Sequence, residues 1–191
     1  MQTERQIQII ELSMELIATK GIQGFTIKNL SKAIGISEPA IYRHYKSKTD
    51  ILLTILDNFK EMAEMMSSIV STESPAIEKI EFLFTKMYEV FTKQPSYISV
   101  IFSEEIFKND NILKNKIVEI HNIQQLNIEK IIIKGQKDKN LRDDIDQKSL
   151  ALIFMGSLRL LVKRWELNNY NFDLKAEGLK LLQSFRTLTI K

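Results

Sequence analysis

Between Thr26 and Lys48 the sequence, TIKNLSKAIGISEPAIYRHYKSK, gathers hydroxyls, cations and small side chains of the kinds that meet nucleic acid. Lys28, Lys32, Arg43, Lys46 and Lys48 stand against Glu38 alone, a local +4 against +3 for the whole chain, so the remainder sums to −1. Charge focused on so short a stretch is the footprint of phosphate binding. The hydroxyls of Thr26, Ser37 and Tyr42, the His44 ring, and the ammonium groups of Lys28, Lys46 and Lys48 suit phosphate oxygens. Such contacts place a protein on double-stranded DNA without reading it. Lys48 also opens a helix, whose N–H groups favour a phosphate. Base reading falls to Glu38, which suits cytosine N4, and to Pro39 and Ala40, which suit a thymine methyl. Arg43 can reach either phosphate or guanine.

Catalysis has little to draw on. The chain has two histidines, His44 and His121, and no cysteine. It lacks a glycine-rich phosphate loop, an H-E-x-x-H and a G-x-S-x-G. Asp143, Asp144 and Asp146 lie together, but the glycine and distal glutamate of a calcium loop are missing, so they read as a solvated turn. No enzyme, cofactor or metal is expected. An all-α enzyme is a rival that needs polar side chains converging in a pocket, and the sequence offers no such set.

The elements that position the basic stretch follow from local chemistry. Thr26 is a helix starter, and Ile27, Leu30, Ala33 and Ile34 recur at helical spacing after it. Gly35 supplies a left-handed residue that ends this helix. Ser37 can cap the next one, and Pro39 falls in its first turn, where a missing N–H costs little. Ile41 and Tyr45 share an inward face. A helix of about seven to nine residues does not hold itself together in water, so this pair needs a scaffold. Residues 3–19 supply it as a first helix with Ile7, Ile10, Met14 and Ile17 on one stripe, and Gly21 and Gly24 bracket its exit. Phe25 is expected to plug that helix onto the pair. The first 48 residues thus read as a three-helix unit presenting the second short helix to a major groove.

From the first helix to Asp50 the chain resembles TetR/AcrR-type transcriptional regulators, on the run T-I-x-x-L-x-x-A-I-G-I-S-E-P-A-I-Y-R-H-Y-K-S-K. Beyond Ile51 the resemblance rests on length and helical layout. It implies phosphate contacts from Tyr42 and His44, a core role for Tyr45, and dimerisation through the last two helices. It also implies a small, often lipophilic effector in the C-terminal bundle. Some TetR-like proteins instead act as DNA-bound adaptors or architectural proteins, an alternative the motif leaves open.

Downstream, the apolar stripe Leu52, Ile55, Leu56, Phe59, Met62, Ala63 and Met66 marks a helix from 48 to about Val70. Such a rod, about 30 Å long at 1.5 Å per residue, can carry an event at its far end to the DNA-binding end. Ser71–Pro75 reads as a loop, and helices are expected over 76–93, 96–108, 110–134, ending at Gly135, 147–167 and 173–189. Lys137 to Asp146 reads as a polar loop between the 110–134 and 147–167 helices, with Leu141 as its anchor. Met62, Phe84, Met87, Tyr88, Phe91, Tyr97, Phe102 and Phe154 can line an apolar cavity, with His121 and Gln125 orienting a ligand; a partly exposed strip and plain core packing are the other readings. The 147–167 helix is apolar nearly all round, so it must be covered on more than one side. Leu152, Met155, Gly156, Arg159, Leu182 and Phe185 are the expected homodimer face, with Gly156 allowing close approach.

With 44% hydrophobic and 27% charged residues, the chain can bury a core, and no run is long enough to span a membrane. No signal peptide is evident, so a cytoplasmic protein is expected. The sum is an all-α protein of about nine helices: a DNA-binding domain over 1–48 and an effector-binding and dimerisation bundle over 49–191. As a homodimer it would repress from a near-palindromic operator with half-sites about one helical turn apart.

Overall fold

The computed structural model describes residues 2–68, 73–108 and 110–190. Among these the secondary structure is entirely helical: α1 (Glu4–Gly24), α2 (Ile27–Ile34), α3 (Glu38–Tyr42), α4 (Lys48–Ser68), α5 (Ala76–Lys93), α6 (Ser96–Ile101), α7 (Glu104–Lys108), α8 (Asn111–Lys137), α9 (Gln147–Leu167) and α10 (Leu174–Thr189). The expected helix over 96–108 is two short ones, interrupted at 102–103. The expected end of α4 near Val70 and the loop residues Ser71 and Thr72 lie outside the described residues. The chain divides into two compact units, one of residues up to Glu61 with Ser96–Val118, the other of Met62–Pro95 with Glu119 onward. The first unit therefore takes in more than the expected 1–48, adding most of α4, α6, α7 and the start of α8.

In the first unit a capping box starts α1. The Gln6 N–H donates to Thr3 Oγ1 at 3.3 Å, and the Thr3 N–H donates to Gln6 Oε1 at 2.9 Å. Helix α1 packs against both α2 and α6. Cover on two sides is why it buries the adjacent pair Ile9 and Ile10 as well as Ser13, Met14, Leu16 and Ile17. The one-stripe reading missed this: Ile7 stays 44% exposed and Ile9 takes its place. Gly21, at φ +66°, breaks the helical path before Gly24, and Phe25 is fully buried behind it. Ile51, Leu52, Ile55, Leu56 and Phe59 of α4 are buried. Asp110 caps α8 through Oδ1 and accepts the Thr49 hydroxyl through Oδ2 at 3.0 Å.

In the second unit α5 packs along α10, and Gly178 makes that approach possible. Any Cβ there would fall inside the contact distance of the Tyr88 ring. Phe154 stacks edge-on with Phe84 at 6.2 Å and with Phe185 at 4.6 Å between centroids. Arg186 forks onto Glu81 through two bonds of 2.9 and 2.5 Å. Asp146 and Asp173 cap α9 and α10. Gly135 does not end α8, as its position in the sequence suggests. It lies inside the helix, buried against Ala76 and Leu141, and the left-handed residue beyond the end is Lys139 at φ +58°. No helix among the described residues is long and apolar enough to cross a membrane.

Candidate nucleic-acid interface

The reading head is built from caps that the sequence specifies locally. Thr26 has extended backbone, and its hydroxyl accepts the Asn29 N–H at 3.1 Å, starting α2. Gly35 ends α2 at φ +78°, ψ 31°, and its N–H returns to the Ser31 carbonyl at 2.9 Å. The next helix, α3, is five residues long, shorter than the pattern suggested. Ser37 sits at its N-cap position, yet its side chain makes no capping bond, so the hydroxyl stays available. The Ser37 carbonyl carries the turn instead, accepting the Ala40 and Ile41 N–H groups at 3.0 and 3.4 Å.

A helix this short is held by what it buries. Ile41 is fully buried and Tyr45 nearly so, and burial raises the Tyr45 phenol above its ordinary pKa. The other side of the same short run faces out. Thr26, Lys28, Ser37, Glu38, Pro39, Arg43 and Lys46 are exposed, and Ala40 and His44 are half-buried. Tyr42 is 50% exposed. Ser47 then caps α4 by accepting the Asp50 N–H at 3.1 Å, while Asp50 accepts the Lys46 N–H at 3.0 Å. The Lys46 side chain is exposed on the surface.

Lys48 has a partner within the chain. Its Nζ donates to the Ile22 carbonyl at 2.9 Å and stands 5.1 Å over the Phe25 ring, and burial lowers its pKa.

The expected effector residues are divided between the two units. Tyr97 and Phe102 belong to the first unit, and Met62, Phe84, Met87, Tyr88, Phe91, His121, Gln125 and Phe154 belong to the second. Of these, Phe84, Tyr88, Phe91 and Phe154 are buried as core, whereas Met62, Met87, His121 and Gln125 are half-buried. The Tyr88 hydroxyl is buried without a hydrogen-bond partner, and burial pushes its pKa well above that of an ordinary phenol. Gln125 donates to Glu129 at 2.7 Å. Burial, and then the Arg159 guanidinium, lower the pKa of His121. An open groove of about 470 Å³ lies elsewhere in the second unit, lined by Glu81, Leu179, Leu182, Gln183 and Arg186.

The expected dimer residues also separate. Leu152 is 65% exposed, Gly156 is exposed, and Met155 and Arg159 are half-buried on the same helix. Leu182 and Phe185 are 2% and 6% exposed, covered largely within their own chain. Leu160, one four-residue step beyond Gly156, is 63% exposed.

Comparison with known proteins decides what this head belongs to. The model of the bacterial regulatory proteins, tetR family, matches residues 9–55, and that of the YsiA-like protein, C-terminal region, matches residues 56–185. The chain belongs to the tetR family. It is a DNA-binding transcriptional regulator, of a family that is not enzymatic, and its DNA-binding element is the helix-turn-helix described above. A crystal structure of FadR from Bacillus subtilis in complex with stearoyl-CoA superposes with a TM-score of 0.80 at 22% identity, covering 93% of this chain and 95% of that one. The HTH-type transcriptional repressor KstR2 of Mycolicibacterium smegmatis is 24% identical over 163 residues, 84% of this chain and 78% of that protein. The nucleoid occlusion factor SlmA of Vibrio atlanticus is 19% identical over 174 residues, 90% and 89% of the two chains.

Proposed function

We propose that this tetR-family member is a cytoplasmic, homodimeric repressor that leaves its operator when a long-chain acyl thioester binds the C-terminal bundle. The observation carrying the DNA half of this reading is the two-sidedness of the Ser37–Lys46 run. Ile41 and Tyr45 are sunk in the core while Ser37, Tyr42, Arg43 and Lys46 stand free on the outside. Hydroxyls and cations then engage phosphates, and Glu38, Pro39 and Ala40 meet base edges. One head makes too few base contacts for useful specificity, so two copies bind a near-palindrome. Leu152, Gly156 and Leu160, exposed along α9, supply an apolar face for the second copy.

The effector class is supported by the likeness to FadR crystallised with stearoyl-CoA, and the repressor sign by the likeness to KstR2. The mechanism is a population shift, in which the effector favours a state whose heads are wrongly spaced for the operator. A tenfold loss of operator affinity needs about 1.4 kcal/mol of coupling. The test is fluorescence anisotropy of a selected duplex titrated with protein, with and without stearoyl-CoA, and with free coenzyme A as control. Release by the acyl thioester alone supports the reading. Unchanged binding in both directs attention to the second reading, a DNA-bound adaptor, which the likeness to a nucleoid occlusion factor favours.

A further inference from the structure

Asp110 is one carboxylate serving two helices of the first unit. Its Oδ1 accepts the N–H groups of Ile112 and Leu113 at 2.9 and 3.2 Å, which caps α8. Its Oδ2 accepts the hydroxyl of Thr49, the second residue of α4, at 3.0 Å and 61 positions away in sequence. A serine at 110 could cap α8, but only a carboxylate has a second oxygen left to accept from Thr49. Further along, Lys116 Nζ stands 2.6 Å from Asp57 Oδ1, with the lysine side chain 19% exposed. From the first contact to the second is about 12 Å along α4 and about 9 Å along α8, at about 1.5 Å per residue. The contacts advance in the same direction on both helices, so the start of α8 is tied alongside α4 at two points. The first unit's share of α8 ends at Val118, and the same helix carries His121 and Gln125 in the second.

We infer that Asp110 is a positioning residue for DNA binding, a clasp through which α8 sets the place of the start of α4 and of the short helices before it. Thr49 follows closely on Lys46, at the end of the run that faces DNA. A displacement of α8 by an effector then reaches the reading head without passing along the whole of α4. The effector half of this inference rests on the function proposed above. A hydroxyl has one proton, and Asp110 takes the one on Thr49. The clasp uses none of the first N–H groups of α4, so it is compatible with a phosphate at this helix start.

The experiment compares the full-length protein with Thr49→Val, Asp110→Ser, the double variant and Thr49→Ser. Serine at 110 keeps the cap of α8, and valine at 49 keeps the branched shape, so each single change removes the shared bond alone. Operator affinity is measured by fluorescence anisotropy with and without stearoyl-CoA, and stearoyl-CoA affinity is measured without DNA. Both single variants are expected to keep stearoyl-CoA affinity within about twofold and to lower the ratio of operator affinity without and with effector at least about threefold. The double variant lowers that ratio no further than either single one, because both remove the same bond. Thr49→Ser, which keeps the hydroxyl, retains the wild-type ratio. An unchanged ratio in the single variants, or losses that multiply in the double one, overturns the clasp. So does a loss of operator binding in Thr49→Val without one in Asp110→Ser, which would make Thr49 a direct phosphate donor. If the wild type binds operator and stearoyl-CoA does not release it, the effector reading fails by itself. The clasp is then read from operator affinity: equal, non-additive losses in the two single variants support it, and additive losses or none overturn it.

Discussion

The reading head and the second unit treat their surfaces differently. The reading head sinks Phe25, Leu30 and Ile41 to 0% exposure and turns hydroxyls, cations and one carboxylate outward. The second unit buries an aromatic core but leaves Leu152, Leu160, Leu179 and Leu188 on its surface. Neither surface is what an isolated monomer needs. A cationic, hydroxyl-rich face is matched to phosphates, and an apolar stripe on α9 is matched to another apolar stripe. On the proposed reading, the contrast teaches that the chain puts polarity where it meets DNA and apolar area where it meets a second copy.

Changes in the two cores should produce the largest effects, and of different kinds. Phe25→Ala removes the plug of a small unit and should destabilise it by about 3–5 kcal/mol, abolishing DNA binding, as read by urea unfolding. Retention of both stability and binding would break the claim that the head is held by its hidden apolar residues. Gly178→Val forces a side chain into the Tyr88 ring and should cost about 1–3 kcal/mol in thermal unfolding. A neutral result would mean that α5 and α10 are free to separate.

The exposed stripe is tested by Leu152→Arg with Leu160→Arg. Sedimentation should report a monomer with little change in helical content, because both residues lie outside the chain's own core. Operator affinity should fall at least about tenfold, since a single head must bind alone. A dimer that survives would move the interface away from this stripe on α9.

The smallest effect is electrostatic. Hydrogen bonds from Lys175 and from Lys86 hold the Glu89 carboxyl down at about 2. A carboxylate depressed on folding stabilises the protein above its unfolded pKa, near the ordinary 4.5, and that contribution is lost as pH falls from there through about 2. Lys175→Met should therefore flatten the acid limb of the stability profile slightly, with no change near neutrality beyond the loss of one exposed pair.

How much of this was legible from residues alone follows the same division. The head was readable because its rules are local: Thr26 caps within three residues, Gly35 turns left-handed, and Pro39 occupies a first turn. What escaped depended on neighbours distant in sequence. Ile9 rather than Ile7 is buried because α6 covers α1 on a second side. Gly135 looked like a helix terminator but serves a close approach to Ala76 and Leu141. The bond from Lys48 to the Ile22 carbonyl could not be read either, because the helix break at Gly21 that precedes this acceptor is a tertiary feature. Leu182 and Phe185 fit a dimer stripe equally well until α5 packed along α10 and covered them. The ten effector candidates were chosen by residue type, which does not reveal that they fall in two units.

The most direct test of the central claim, that this helix-turn-helix reads DNA as one of a pair, is selection of bound duplexes from a random library at two salt concentrations. The account predicts enrichment of a near-palindrome whose half-sites lie about one helical turn apart, with weaker recovery at the higher salt. Recovery of single half-sites, or of no preferred sequence at either salt, would contradict it.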